Sequence, residues 1–377
     1  MTFNADYGGT IAGFNTSGIN IARKISSSPE GPFDGVYFAL RSGRKAFRIS
    51  QDDAITVWEA SPANADIFKL GDMSSDGFYY VTSGDGLLQY NVEGGTKTLL
   101  YQTSDYGQGT VLVKSSVAYF GDSNNIYAYD LDASSLIWKD NVGDAPFEEK
   151  ALIDGELYFG DLGGDLYSYD AQSGNQSWVY DSGSYSPKGP IIIGGTLYSG
   201  SANGKSFSVD ISDGTENWKS NNDYGSVYYP IYIDGKIIHG TDEASVVAVD
   251  IDDGSELWKY SPGSFDLYVA GLSLLDGVVY GAEDSGDVFS IDASDGSENW
   301  KVNEGEYGDL YPAIQDDLLY VSNDNIPYKV KVFDIDDGSI VRESESFDNE
   351  VEEAGVLIDG AQWSHHEKVG RLSDPGE

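Results

Sequence analysis

The chain has 377 residues, of which 63 are Asp or Glu and 22 are Lys or Arg, so its formal net charge is −41, and it contains no cysteine. A surface this anionic repels nucleic-acid phosphates and anionic lipid headgroups, which excludes binding of either by general electrostatics. The absence of cysteine excludes disulfides, thiolate metal sites and a cysteine nucleophile.

The composition nevertheless predicts a folded chain, because 40% of the residues are hydrophobic and 13% are aromatic. An acidic excess fits a protein kept soluble in concentrated salt, where the Debye length shrinks to about 3 Å and self-repulsion is screened. We therefore expect a halophilic source, either an archaeon or its virus.

The first 33 residues are predicted to form an N-terminal extension. Residues 1–50 carry six basic and three acidic side chains, a net charge of +3 in a chain whose remainder carries −44. One interpretation is chance combined with local ion pairing. The other is a docking arm that binds an acidic surface, its own or a partner's. The candidate residues of this arm are Arg23, Lys24, Arg41 and Arg44.

The start of the chain, TFNADYGGTIAGFN after Met1, lacks the features of a secretory signal peptide. No apolar run approaches the roughly 18 residues of a membrane helix. We expect no membrane insertion and a location in a virion or in the cytoplasm, at high salt.

A repeat of about 40 residues follows. Trp138, Trp178, Trp218 and Trp258 are spaced by 40 residues, and Trp300 comes 42 residues later. An aspartate stands eight residues before each of them: Asp130, Asp170, Asp210, Asp250 and Asp292. Degenerate copies around Ser50, Asn91 and Asp334 raise the number of units to eight. A period of this length is typical of propellers and solenoids.

Strand patterns decide between these two architectures. Each unit contains four short β-type runs bounded by Gly, Asn and Asp, such as GPIII, GTLYSG, SFSVD and TENWKS, which predicts one four-stranded blade. The fold prediction is an all-β propeller of eight four-stranded blades over residues 34–360. Nine blades remain an alternative, since TIAGFNTSGINIAR repeats the offset from Asn15 to Arg23.

The ring is predicted to close by pairing of N- and C-terminal strands. The segment AGVLIDG (354–360) is an orphan strand that would join the first blade, which has only three strands of its own. Residues 361–377 are then a C-terminal tail.

Turns such as DISDGTE and DIDDGSE are predicted to link the third and fourth strands of each blade. Glycine there supplies a positive φ, and the first aspartate caps the turn with its side chain. These turns lack the twelve-residue loop and final Glu of a calcium site, so no metal is predicted.

The unit LYFGDLGGDLYSYDAQSGNQSW and its neighbours resemble the pyrroloquinoline quinone (PQQ)-type propeller repeat over about residues 76–345. The resemblance implies that the repeated tryptophans pack between neighbouring blades: Trp138, Trp178, Trp218, Trp258 and Trp300. The family includes quinoprotein alcohol dehydrogenases and non-catalytic scaffolds such as a bacterial outer-membrane assembly lipoprotein. The dehydrogenases have an adjacent-cysteine disulfide and insertions between blades. This chain has no cysteine and evenly spaced units, so the non-catalytic branch is expected, without enzymatic activity or cofactor.

Aromatic residues recur in the loop that follows each predicted fourth strand. They would either ring the channel mouth as a recognition face for a protein segment or a sugar ring, or start the inner strand and pack between blades. The candidates for the recognition face are Tyr106, Phe147, Tyr185, Tyr224, Tyr228, Phe265, Tyr268, Tyr307 and Tyr311. His239, His365 and His366 are too scattered for a catalytic relay or zinc site.

The expected function is therefore that of a non-enzymatic recognition or scaffold protein. A structural attachment subunit, such as a tail or spike protein of a haloarchaeal virus particle, is the leading interpretation, with a protein of the assembly and a host surface protein or glycan as partners. The alternative is an intracellular or cell-surface scaffold of the host. A PQQ-dependent dehydrogenase-like enzyme is the minor alternative.

Overall fold

The structure is a computed structural model. It describes residues 3–4, 10–11, 36–40, 45–49, 56–60, 67–69, 78–91, 96–146, 150–183, 187–220, 224–225, 227, 230–263, 269, 271–283, 285–303, 311–315, 318–322, 330–343, 353–358 and 361–364. Every regular element among these residues is a β-strand, and none is a helix that could cross a membrane.

Strands occur in groups of four along most of the chain. In chain order they are β1 (Phe3–Asn4), β2 (Thr10–Ile11), β3 (Val36–Leu40), β4 (Lys45–Ile49), β5 (Thr56–Ala60), β6 (Ile67–Lys69), β7 (Phe78–Ser83), β8 (Gly86–Asn91), β9 (Lys97–Gln102), β10 (Gly107–Lys114), β11 (Val117–Asp122), β12 (Asn125–Asp130), β13 (Ser135–Asn141), β14 (Lys150–Ile153), β15 (Glu156–Gly160), β16 (Asp165–Asp170), β17 (Gln176–Asp181) and β18 (Pro187–Ile193). The remaining strands are β19 (Thr196–Ser201), β20 (Ser206–Asp210), β21 (Glu216–Lys219), β22 (Ile231–Ile233), β23 (Lys236–Thr241), β24 (Ser245–Asp250), β25 (Glu256–Tyr260), β26 (Leu272–Leu275), β27 (Val278–Ala282), β28 (Asp287–Asp292), β29 (Glu298–Asn303), β30 (Tyr311–Gln315), β31 (Leu318–Ser322), β32 (Val330–Asp334), β33 (Ile340–Glu343), β34 (Glu353–Ile358) and β35 (Ala361–Ser364).

These strands form eight antiparallel sheets that correspond to the eight predicted units, plus a small β1–β2 pair. Seven sheets have four strands in sequential order, from β6–β9 to β30–β33, and we number them blades 2 to 8. Blade 1 has the order β35-β34-β3-β4-β5. The sheets contact one another in chain order, with blades 5 and 6 joined through a cluster that includes Tyr198 and Ile237, and β34 of blade 1 contacts β30 of blade 8. The predicted all-β, eight-bladed propeller is confirmed.

The closing strand is β34, which pairs antiparallel with β3 through Val36 and Val356. This pairing joins the two ends of the ring, as predicted from the orphan C-terminal strand. The following strand β35 pairs with β34 through Gly355 and Ser364. Strand pairing therefore continues to Ser364, past the predicted domain boundary at residue 360, and blade 1 has five strands instead of four.

The hydrophobic core lies between neighbouring blades. The cluster between blades 3 and 4 joins Ile126 and Trp138 to Leu157 and Phe159, and all four side chains are at most 9% exposed. Comparable clusters lie at the junctions from blade 2 to blade 8. Blades 3 to 7 thus bury both faces against their neighbours, which fixes these blades relative to one another.

The repeated tryptophan docks on the next blade at each of these five positions. Trp138 Nε1 donates to the carbonyl of Ala171, in the turn between the third and fourth strands of blade 4, at 2.8 Å. The same bond recurs from Trp178 to Ile211, Trp218 to Ile251, Trp258 to Ala293 and Trp300 to Ile335, at 2.8 to 3.3 Å. Opposite each tryptophan on the third strand stands a small residue, Ala or Ser.

Two physical reasons favour glycine in each turn whose carbonyl accepts the tryptophan hydrogen bond. Gly174 has φ +72°, and a Cβ built on it would lie 2.6 Å from Cδ2 of Trp138. In the sequence, this glycine is replaced where the preceding blade lacks the tryptophan. Blade 3 has Ser134 after Leu99 of blade 2, and blade 1 has Ala54 after Arg342 of blade 8. The turn glycine and the tryptophan of the preceding blade therefore occur together in the sequence because they contact each other.

The capping aspartates behave as the turn sequence predicts. Asp170 Oδ1 accepts the backbone N–H of Ser173 at 2.6 Å, and Asp210 Oδ1 accepts that of Ser212 at 2.8 Å. Hydrogen bonds from these serines lower the pKa of both carboxyls. These carboxylates therefore stabilise the turns.

Candidate interaction face

The ring has two distinct faces, because successive strands of a blade are antiparallel. We define the upper face by the hairpins between second and third strands and by the connections from a fourth strand to the next blade: residues 84–85, 103–106, 123–124, 142–146, 161–164, 182–183, 202–205, 242–244 and 261–263. Backbone hydrogen bonds join these two sets of loops, for example from Leu162 N to Ala145 O at 3.0 Å. The capping turns lie on the opposite, lower face.

Tyr106 presents an aromatic side chain on the upper face. It is 59% exposed, and its backbone N–H donates to Asp105 Oδ1 at 2.8 Å. Asp105 is also exposed, and its carbonyl accepts the Thr103 hydroxyl at 2.6 Å. The loop thus holds an aromatic ring beside a carboxylate at the surface.

Tyr224 is buried, unlike Tyr106, and does not form part of an exposed recognition face. Its side chain is only 3% exposed and belongs to the cluster between blades 5 and 6. The hydroxyl donates to Glu256 Oε2 at 3.0 Å, and Lys259 Nζ lies 5.8 Å from the ring centroid. Tyr224 therefore follows the alternative role, packing between blades.

Most other predicted site residues lie outside the described residues. This applies to Phe147, Tyr185, Tyr228, Phe265, Tyr268 and Tyr307 and to Arg23, Lys24, Arg41 and Arg44 of the predicted docking arm. Tyr311 is the first residue of β30, the inner strand of blade 8.

Buried carboxylates organise the upper-face hairpins of blades 3 and 4. Asp122 in blade 3 is fully buried and accepts hydrogen bonds from Asn125 Nδ2 at 2.7 Å and from the backbone N–H of Asn124 at 3.0 Å. The Tyr127 hydroxyl also donates to it. Burial alone would raise the pKa of Asp122, but these hydrogen bonds outweigh it and hold the pKa below its usual value.

Asp161 occupies the equivalent position in blade 4, yet its pKa shifts in the opposite direction. It is 2% exposed and accepts the Tyr167 hydroxyl at 3.0 Å. Burial raises its pKa, and the nearby Asp165 carboxylate adds to the rise. Asp165 stands where blade 3 has Asn125, so a hydrogen-bond donor has become a second negative charge.

Lysines on the fourth strands link neighbouring blades, a feature that the sequence analysis missed. Each follows a docking tryptophan and reaches the upper-face connection of the preceding blade. Lys139 Nζ donates to Ser104 Oγ at 3.1 Å, Lys219 Nζ donates to Ser182 O at 3.0 Å, and Lys301 Nζ donates to Pro262 O. The recurring Trp-Lys dipeptide was the available signal, because few lysines occur in so acidic a chain.

His239, the histidine within the described ranges, lies in the protein interior. His239 is 1% exposed, and its Nε2 lies 2.8 Å from Ser206 Oγ of blade 5. Among the residues whose side chains are described, no group of three or more His, Asp and Glu side chains is arranged to hold a metal ion.

A ring of eight antiparallel sheets, seven with four strands and one with five, docked by repeated tryptophan–turn contacts and carrying its irregular loops on one face, defines a β-propeller. The chain belongs to the family described as outer membrane protein assembly factor BamB, whose model matches residues 2–220 and 242–372. No curated protein matches the chain significantly.

Solved structures share this fold. BamB from Moraxella catarrhalis is 16% identical with a TM-score of 0.65, and the match covers 77% of this chain and 91% of that one. The computationally designed protein Ika8 is 15% identical with a TM-score of 0.66, covering 81% and 98%. Sqt1 from Saccharomyces cerevisiae is 12% identical with a TM-score of 0.64, covering 79% and 95%. At these identities the likeness concerns the fold alone.

Proposed function

We propose that this protein is a non-enzymatic recognition or scaffold subunit that binds a protein partner through its upper face. The observation that carries the proposal is Tyr106, an aromatic side chain left 59% exposed beside Asp105 on a loop of a rigid ring. Tyrosine is enriched at protein interfaces, and rigid scaffolds concentrate binding residues on their loops. Membership of a family described as an assembly factor supports the same function.

The finer proposal is a tail or spike subunit of a haloarchaeal virus particle, located in the virion and contacting a host surface protein or glycan. The net charge of −41 supports a high-salt environment. The excess of basic residues before position 50 supports an arm that docks on an acidic neighbour. The alternative is a host scaffold, intracellular or at the cell surface.

Sedimentation of source extracts in molar KCl, followed by immunodetection, tests the proposal. We expect the 40.8 kDa chain to sediment with a much larger assembly and to be present in purified particles. A free monomer that is absent from particles would contradict the particle role, and a host complex without particles would favour the alternative.

Tyr106→Ala tests the face itself. The Tyr106 side chain is 59% exposed, so the variant should fold normally. Its affinity for the partner should be at least tenfold lower than that of the wild type. Leu257→Ala is the matched control, since Leu257 is 45% exposed but lies on the outer strand β25. Equal partner binding by both variants would argue against the upper face.

The enzymatic alternative has its own test. Addition of PQQ and calcium should produce neither a thermal shift nor dye-linked alcohol oxidation. A saturable shift together with turnover would replace the scaffold proposal by a dehydrogenase.

A further inference from the structure

The repeat provides an internal comparison at the residue that follows the docking tryptophan. In blade 7 this residue is Lys301, whose Nζ lies 3.5 Å from Asp287 Oδ2 and donates to Pro262 O. Lys301 pairs across the strands with Phe289, and Asp287 pairs with Asn303. These positions of blade 7 therefore hold one cation, one carboxylate and one amide, and Glu283 places a second, buried carboxylate in the adjoining hairpin.

Blade 4 has the same cross-strand register and a different chemistry. Val179 pairs with Tyr167 as Lys301 pairs with Phe289, and Asp165 pairs with Asp181 as Asp287 pairs with Asn303. The cation of blade 7 is thus replaced by valine, and the amide by a second carboxylate. At these two positions blade 4 is therefore more negative than blade 7 by two charges, while in the hairpin the sequence of blade 7 has Asp284 where blade 4 has Leu162.

Two further carboxylates lie at this edge of blade 4, and one of them, Asp161, corresponds to Glu283 of blade 7. Asp161 and Asp165 both face the Tyr167 hydroxyl, at 3.0 and 3.4 Å. Asp144, in the connection from blade 3, approaches from the other side: a Cβ built on Gly163 would lie 2.9 Å from Asp144 Oδ2 and 3.2 Å from Asp161 Oδ1. Among the described residues, no Lys or Arg forms a salt bridge with any of these four aspartates.

Exposed apolar side chains lie on the same blade. Val179 is 47% exposed, and it points to the same side of β17 as Asp181 because side chains alternate along a strand. Leu162, next to Asp161 in the hairpin, is 43% exposed. We name this surface the blade-4 patch, consisting of Asp144, Asp161, Leu162, Asp165, Val179 and Asp181.

The electrostatics of the blade-4 patch favour a cation. Burial raises the pKa of Asp165, and the charges of Asp181 and Asp144 add to the rise, so these groups repel one another when ionised. In blade 7 the corresponding Asp287 binds an ammonium group of the same chain. In blade 4 an ammonium or guanidinium group from another segment would relieve this repulsion, while aliphatic neighbours of that group cover Val179 and Leu162.

We propose that the blade-4 patch is a docking site for residues 19–25 of a second copy of this chain. This segment, INIARKI, places the adjacent Arg23 and Lys24 among Ile19, Ile21 and Ile25, and it belongs to the part of the chain with net positive charge. Its basic side chains take the place that Lys301 occupies in blade 7, and its isoleucines contact the exposed valine and leucine. The proposal rests on the proposed scaffold function and supplies one of its contacts.

Such a contact joins two different surfaces and so generates a ring or a filament of copies. In concentrated salt this interface needs both the charged contacts and the apolar contacts. At about 1 M salt the Debye length is roughly 3 Å, so charge attraction acts only between groups in direct contact, and apolar burial must supply part of the affinity.

Sedimentation equilibrium of the full chain over a range of protein concentrations tests the proposal. We expect concentration-dependent association of the wild type, abolished by Arg23→Gln combined with Lys24→Gln. A synthetic peptide of residues 17–28 should dissociate the complexes, and the same peptide with both basic residues replaced by Gln should not.

Val179→Lys is the decisive variant, because it restores the blade-7 arrangement within one chain. It should raise the melting temperature and weaken association at least tenfold, so loss of association cannot be attributed to unfolding. Asp165→Asn should also weaken association, whereas the control Asp132→Asn, at an exposed lower-face turn, should leave it unchanged.

A monomer at all concentrations, or a Val179→Lys variant that associates like the wild type, overturns the proposal. Peptide binding to a monomer would instead assign the segment to its own chain. A different result would contradict the scaffold function alone: the chain would be missing from large native assemblies, although purified copies would still associate through the blade-4 patch.

Discussion

The contact between Trp138 and Gly174 supports a quantitative prediction about how blades are held together. Gly174→Ala introduces a methyl group at a position with φ +72°, where the new Cβ would lie 2.6 Å from the tryptophan ring. The positive φ costs about 1–2 kcal/mol for a residue with a Cβ. Forcing the ring aside adds about 1–3 kcal/mol, the usual cost of overpacking a filled site.

The matched control lies in the same blade. Gly155 has φ +84°, and a Cβ built there would meet no atom within 4 Å. Gly155→Ala should therefore incur the backbone cost alone. Guanidinium unfolding followed by circular dichroism in molar KCl measures both variants, and Gly174→Ala should be the more destabilised by about 1–3 kcal/mol.

A double-mutant cycle isolates the contact. In a Trp138→Leu background, which copies the natural pairing of Leu99 with Ser134, Gly174→Ala should cost no more than Gly155→Ala, since the ring is gone. Equal costs for the two glycine variants in the wild-type background would refute the steric part of the reasoning.

Further predictions follow from single interactions. Trp178→Phe removes the bond from Nε1 to Ile211 O and should lower the free energy of unfolding by about 1–2 kcal/mol, measured by the same unfolding assay. Lys301→Met should destabilise by about 0.5–1 kcal/mol, and part of this loss should persist in high salt, because the bond to Pro262 O is partly buried and Asp287 is only 6% exposed, so both contacts are screened less than a surface ion pair. The pKa of Asp165 is raised on folding, so its ionisation opposes folding: Asp165→Asn should raise the melting temperature at pH 7, and the difference should vanish as the pH falls through the folded pKa. The pKa of Asp122 is lowered, so Asp122→Asn should destabilise at pH 7, with a difference that shrinks as acid protonates the wild-type carboxyl.

The fold could be predicted from the sequence because each blade repeats the same chemistry. The Trp spacing and its degenerate copies set the number of sheets, and the Asp and Gly of most turns set the register of the third and fourth strands. The orphan strand at 354–360 could be placed in blade 1 because a three-stranded blade exposes an unpaired edge. The added strand β35 could not, since AQWS has no counterpart in the other units.

The site was harder to predict, because it depends on contacts between residues far apart in the chain. Tyr224 lies in the same kind of loop as Tyr106, six residues after the Trp register position instead of seven, but its hydroxyl partner Glu256 is 32 residues away, so its burial is not visible locally. The blade-4 patch needs the pairing of Asp165 with Asp181 and the comparison of Val179 with Lys301. Both become visible only when the strand register is known.

Hydrogen–deuterium exchange of the chain, free and within its native assembly, tests most directly the claim that the protein acts by presenting its upper face. The account predicts protection of residues 103–106, 142–146 and 161–165 in the assembly, with unchanged exchange in the lower-face turn 171–175. Protection confined to the lower face, or exchange identical in the free and assembled protein, would contradict it.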